Sequence, residues 1–277
     1  MAAEGELGTG SGGARSFGLR PQWIVTTVVL SLLVAGALRL GIQNRHFVAS
    51  HPMNLVWALG AIAVGFAVAR LNGARVGFGR VTPWLGYGVL AAYLGFAIQG
   101  TVDGSLLRLF GGRPGLAGYF LLGAAAAAGQ TFAKWIVLRF LGRLGGLETP
   151  ARTLAIGLSV GLGFGIAEIV IVGENQIVRH VGITGFPWLG LWERASAVGL
   201  HVFSAAAIAI GLHRRQAGAI LVVLALHSLD DWVGGSIPGG GVRMPPMAAQ
   251  VFLTAVTVAM WAYYRVCRDA ILREKPA

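Results

Sequence analysis

The segments GLGFGIAEIVIV (residues 161–172), WLGLWERASAVGLHVFSAAAIAIG (188–211) and ILVVLALHSLDDW (220–232) decide how this chain is read. Each is an apolar run built from Leu, Ile, Val, Ala, Gly and aromatic residues, yet each carries ionisable groups: Glu168 in the first, Glu193, Arg194 and His201 in the second, His227, Asp230 and Asp231 in the third. An ionisable side chain in such a run costs roughly 2.5–3.5 kcal/mol on insertion into a bilayer, so these residues turn toward a protein interior and mark a functional site.

The rest of the chain has the same character. Of its 277 residues 55% are hydrophobic and 12% charged, where a soluble protein carries about 25% charged residues. A spanning helix takes about 20 apolar residues, so the length accommodates about seven to nine spans and little else. The expectation is an all-α, polytopic transmembrane helix bundle forming one membrane domain. The net charge of +11 lies on Arg and Lys residues that flank apolar runs, which is a topological signal and suits anchoring to anionic lipid. With no soluble basic domain to carry it, that charge implies the lipid bilayer as partner and no nucleic acid. Cys267 is the only cysteine, so an intrachain disulfide and a cysteine metal cluster are excluded, and any chemistry falls to His and carboxylate groups.

Residues 1–20 are rich in Gly, Ser and Ala and are read as a disordered tail. The first apolar run, 23–38, follows Arg15 and Arg20 and contains Ala35-Gly36-Ala37, so it reads as a first span, with a cleaved signal peptide as the alternative. Further spans are expected at 53–69, 83–99, 116–138, 152–172, 189–212, 216–233 and 247–266, about eight in all. They divide into four N-terminal helices (21–150) and a four-helix catalytic core with a short tail (151–277). The stretches Arg70 to Pro83 and Gly100 to Pro114 read as connections, and Lys134 and Arg139 as cations that snorkel to the interface at the end of the fourth span. With the N-terminus inside, Arg70, Arg75, Arg139, Arg143, Arg214 and Arg215 fall on the inner face and outnumber the cations opposite, so both termini are expected in the cytoplasm of a cell-membrane protein.

In that threading Glu168, Glu193, His201, His227 and Asp231 all fall in the outer half of the bilayer at overlapping depths. Asp231 follows His227 by one helical turn and shares its face. Glu193 and Arg194 lie about 80° and 20° from the direction of His201 at about 100° per residue, so they line one cavity with Arg194 at its rim. Gly157, Gly161 and Gly165 recur at every fourth position, a stripe that permits close helix approach, and Glu168 lies about 20° from that stripe. Each residue also has a plainer reading: an interior hydrogen-bonded His, an Asp at a helix end, or a Glu193–Arg194 ion pair beside Trp188 and Trp192. Glu174, Arg179, His180 and His213 are read as loop residues without a site role.

Carboxylate and imidazole groups held in a partly desolvated cavity perform general acid–base catalysis. One arrangement has Glu168 or Glu193 drawing a proton from a water also held by His201, while His227 and Asp231 stabilise an oxyanion or orient the substrate. The other has His201, His227 and Glu168 holding Zn²⁺ with an open position for water, although no HExxH pair is present.

The stretch GLGFGIAE (161–168), the pattern of Glu193, Arg194, His201 and Ser204, and the HSLDD segment (227–231) resemble the YhfC-type intramembrane proteases. That family is similar to the clan containing PrsW and the CAAX-processing and bacteriocin-processing proteases. The resemblance covers about residues 155–235 and implies an all-helical membrane protease core with a Glu/His site, acting on membrane proteins or lipidated peptides. Carried over by position, it falls on Glu168, the pair Glu193 and Arg194, and His201 and His227. CAAX-type members carry a double Glu followed by Arg on one helix, whereas here Glu168 follows Ala167 and the Glu-Arg pair lies on the next helix, so the base is either Glu168 or Glu193. Two other classes compete: a proton-coupled or small-solute transporter, for which the first four spans offer only Gln99, Gln130 and Lys134 near helix ends, and a non-catalytic scaffold of protease-like fold.

Overall fold

The computed structural model describes residues 52–72, 78–112, 114–172, 188–236 and 244–274. They form seven α-helices: α1 (Pro52–Leu71), α2 (Phe78–Leu109), α3 (Leu116–Arg143), α4 (Pro150–Val172), α5 (Trp188–His213), α6 (Gly218–Ser236) and α7 (Pro246–Leu272). Among the described residues there is no strand, and five of the helices are long and apolar enough to cross a membrane. The all-helical, multi-pass membrane architecture follows from those apolar lengths. The N-terminal tail, the run at 23–38 and the last three residues lie outside the described residues.

Burial orders the bundle. The apolar windows of α4 and α5 are each 83% buried, against 39% for α2 and 33% for α7, so α4 and α5 form the centre and the others surround them. Val251, Val258, Trp261 and Val266 on α7 remain exposed, as befits a face whose apolar surroundings are lipid.

The expected glycine stripe makes the central contact. A Cβ at Gly157 would stand 2.7 Å from Ala206 Cα, at Gly161 2.6 Å from Val202 Cα, and at Gly165 3.0 Å from Val198 Cα. Three glycines one turn apart thus meet three successive turns of α5 running the other way, backbone to backbone. On the next face of α4, a Cβ at Gly163 would stand 2.9 Å from Leu85 Cα, which brings α2 equally close.

Helix α2 departs from expectation at both ends. It begins before Pro83, which lies inside the helix near its start, and it continues through Gly100 and Gly104, where a connection was expected. Thr101 Oγ1 donates to the Ala97 carbonyl at 2.9 Å and Ser105 Oγ to that of Thr101 at 2.9 Å, so the hydroxyls bond back along the helix instead of competing with it. The helix ends at Gly111 and Gly112, whose φ of +61° and +76° reverse the chain as Gly112 N–H donates to the Leu107 carbonyl at 2.8 Å. These extra turns carry Asp103 to the functional site.

Candidate functional site

Glu168 on α4 and His201 on α5 face each other across the glycine-stripe contact, and His201 Nε2 pairs with Glu168 Oε2. The close approach of the backbones sets this reach: a bulkier residue at Gly161 would meet the backbone of His201 and Val202. Lys134 Nζ stands 2.7 Å from His201 Nδ1 and donates to Ser204 Oγ at 3.1 Å, with the Phe164 ring centroid 4.4 Å away. An ammonium has only donors, so His201 Nδ1 accepts, its proton resides on Nε2, and that N–H donates to Glu168. The outcome is a directed chain, Lys134 to His201 to Glu168, with one oxygen of the carboxylate occupied and the other available.

Lys134 corrects the sequence reading. It is fully buried and cannot snorkel, because its face of α3, with Ala126, Ala127, Gly129, Gln130, Thr131 and Ala133, is covered by the neighbouring helices. Gln130 and Lys134, four residues apart among small residues, are the signal that marks this face as interior.

A cavity of about 290 Å³ opens beside Glu168, lined by Asp103, Glu168, Glu193, Arg194, Asp230 and Asp231 together with Gln99 and Gln130. Glu193 and Arg194, expected to line one cavity with Arg194 at its rim, line it as a pair in which Nε and Nη2 of the guanidinium donate to the two carboxylate oxygens. The third guanidinium nitrogen, Nη1, is buried and has no hydrogen-bond partner among the described residues. Gln99, Asp103 and Gln130, none of them in the expected site, join the wall from α2 and α3. Asp230 lines the cavity alongside Asp231.

His227 sits deeper. It is 1% exposed, its ring stands edge-on to that of His201 with centroids 5.3 Å apart, and Nδ1 lies 3.4 Å from Thr131 Oγ1. Its Nε2 is 3.7 Å from Asp231 Oδ2, so the expected one-turn pairing exists, with His227 behind the carboxylate and away from the cavity wall.

The donors suggested for zinc do not converge. His201 offers Nε2 to Glu168 and Nδ1 to an ammonium, His227 Nε2 faces Asp231, and among the described residues no group of three His, Cys, Asp or Glu is placed to hold a metal ion. In this arrangement His201, His227 and Glu168 do not fit a zinc site.

His213 ends α5 at the far end from the site, with Nδ1 2.6 Å from the Leu147 carbonyl and Nε2 3.5 Å from Glu274, which also accepts from Arg214 at 2.7 Å. It is a clamp between helix ends. Glu174, Arg179 and His180 lie outside the described residues.

Fold and site together define a multi-pass helical membrane protein with an acid-lined polar cavity at its centre. No protein-family model matches the sequence, and no curated protein matches it.

Proposed function

We propose that this protein is an intramembrane peptidase of the YhfC type, hydrolysing peptide bonds of membrane proteins or lipidated peptides, with Glu168 as the water-activating base. The observation that supports it is the Lys134–His201–Glu168 chain ending at the wall of a polar cavity. A water in the cavity gives its proton to the free oxygen of Glu168 and attacks the substrate carbonyl carbon. The developing oxyanion accepts from Arg194 Nη1, and Glu168 returns the proton to the leaving amine. Lys134 holds His201 in the tautomer that supports Glu168, while Glu193 orients Arg194. His227 positions Asp231 from behind. The finer topology belongs to the same proposal: eight spans, the first at 23–38, with both termini cytoplasmic in the cell membrane of a bacterium.

The test is cleavage of a membrane-embedded reporter peptide by purified protein in liposomes. Glu168→Gln and His201→Ala each lower the rate by orders of magnitude, and the double variant is scarcely worse than either, because both serve one step. Wild-type cleavage by Glu168→Gln overturns the mechanism.

One observation favours a second reading, proton-coupled cation transport: α2 and α3 contribute Gln99, Asp103 and Gln130 to the cavity, so its polar lining is not confined to the last four helices. That reading predicts cation-driven proton movement in the same liposomes and no cleavage.

A further inference from the structure

Five of the chain's eleven Asp and Glu residues line one cavity in a protein whose net charge is +11. Glu193 is compensated by Arg194, and Glu168 is backed by His201 and Lys134. Asp103, Asp230 and Asp231 form no ion pair with Lys or Arg among the described residues; Asp231 has only His227, at 3.7 Å. Carboxylates crowded in low-dielectric surroundings require a compensating positive charge or a proton.

An independent observation points to a ligand. Gln130 is 3% exposed and lines the cavity. Its Nε2 donates to Gln99 Oε1 at 3.0 Å. With Nε2 engaged as the donor, Gln130 Oε1 is left as an acceptor. Among the described residues that oxygen is buried without a hydrogen-bond partner, as is Asp103 Oδ1, while Asp231 lines the same cavity with its Oδ2 turned toward His227. Two orphan acceptors and a carboxylate without a Lys or Arg partner in one cavity call for a donor. Among the described residues no group of three His, Cys, Asp or Glu sits close enough to grip a metal ion, and an amide oxygen beside carboxylates suits the N–H donors of a polyatomic cation. A volume of about 290 Å³ is at the small end of ligand pockets and suits one extended side chain.

We infer that the Asp103, Gln130 and Asp231 side of the cavity is a recognition subsite for a guanidinium or ammonium group, the side chain of an Arg or Lys in the substrate. As a substrate preference this rests on the peptidase reading: the cation is held here while the peptide bond lies between Glu168 and Arg194. As a binding site it stands without that reading.

The experiment titrates the full chain in lipid nanodiscs with N-acetyl-arginine amide, with its neutral isostere N-acetyl-citrulline amide, and with calcium chloride, by calorimetry. The arginine derivative is expected to bind at least about tenfold more tightly than the citrulline derivative. Gln130→Leu and Asp231→Asn should each weaken it by about tenfold, the scale of losing a hydrogen bond to a charged group. Gln130→Glu keeps an acceptor and should bind at least as well, which separates loss of the contact from loss of the fold. Equal binding of the two derivatives, no binding of either, or stoichiometric calcium binding that the arginine derivative does not displace would each overturn the inference. Reporter peptides with Arg or Lys replaced by Gln beside the scissile bond form the second arm. Selective binding without cleavage of any reporter sinks the peptidase reading and leaves the subsite standing, whereas cleavage indifferent to the cation, with no selective binding, sinks the subsite alone.

Discussion

Replacing Lys134 with Met keeps the length of the side chain and removes its charge. In the structure this deletes the donor to His201 Nδ1 at 2.7 Å, the donor to Ser204 at 3.1 Å and the cation facing Phe164. Glu168 is then left in the bundle with its supporting charge gone. Removing a donor so that buried acceptors are left unsatisfied costs about 1–3 kcal/mol, and more where a charged group is involved, whereas a lipid-anchoring Lys is replaced within about 0.5 kcal/mol. The expected loss is therefore about 3 kcal/mol, measured as reversible unfolding in mixed micelles by tryptophan fluorescence. Adding Glu168→Gln removes the carboxylate that Lys134 compensates, so the double variant should recover part of the loss, with a coupling energy of about 0.5–3 kcal/mol. Peptidase activity should fall with Lys134→Met even where the protein remains folded, because His201 can then place its proton on Nδ1 and leave Glu168 unsupported. A Lys134→Met protein within about 0.5 kcal/mol of wild type, with no coupling to Glu168, would refute the buried chain.

Other outcomes follow from the same geometry. Gly161→Ala places a methyl 2.6 Å from Val202 Cα, where no side chain can yield, and should cost about 1–3 kcal/mol by overpacking while lowering cleavage by separating Glu168 from His201; a silent substitution would show that the α4–α5 contact is looser. Arg194→Lys removes the free Nη1 and the two-pronged grip on Glu193, and should lower kcat by about 10²–10³ with little change in KM; an unchanged kcat would assign Arg194 to Glu193 alone. Purified protein should hold no stoichiometric zinc, since both ring nitrogens of His201 are engaged; about one equivalent of zinc lost in His201→Ala would mean that His201 and His227 converge on a metal. A cysteine at Ser236 should be labelled from the extracytoplasmic side and a tag after Lys275 should be cytoplasmic; labelling of Ser236→Cys only from inside would reverse the topology.

The helices and the polar residues within them were legible in the sequence because both are local properties. An apolar run of about 20 residues announces a span wherever its partners lie, and Glu168, His201, His227 and Asp231 stand out within such runs by residue type alone. The glycine repeat at 157, 161 and 165 likewise declared a close contact before its partner was known. The wall contributed by the earlier helices was not legible. Lys134 reaches His201 across 67 residues and Thr131 meets His227 across 96, and nothing local to residues 116–143 says that α3 packs beside α5 and α6. From its own segment Lys134 reads as a cation at a helix end. Asp103 was not legible because Gly and polar residues favour a helix end by only about 1 kcal/mol per Gly, and α2 runs on through these largely unburied turns, where the Thr101 and Ser105 hydroxyls bond back along it. The sequence by itself determined which groups have to be hidden from lipid, because the cost of exposing them is paid residue by residue; which groups are hidden together was decided only by the tertiary structure, because that depends on the order in which the helices surround α4 and α5.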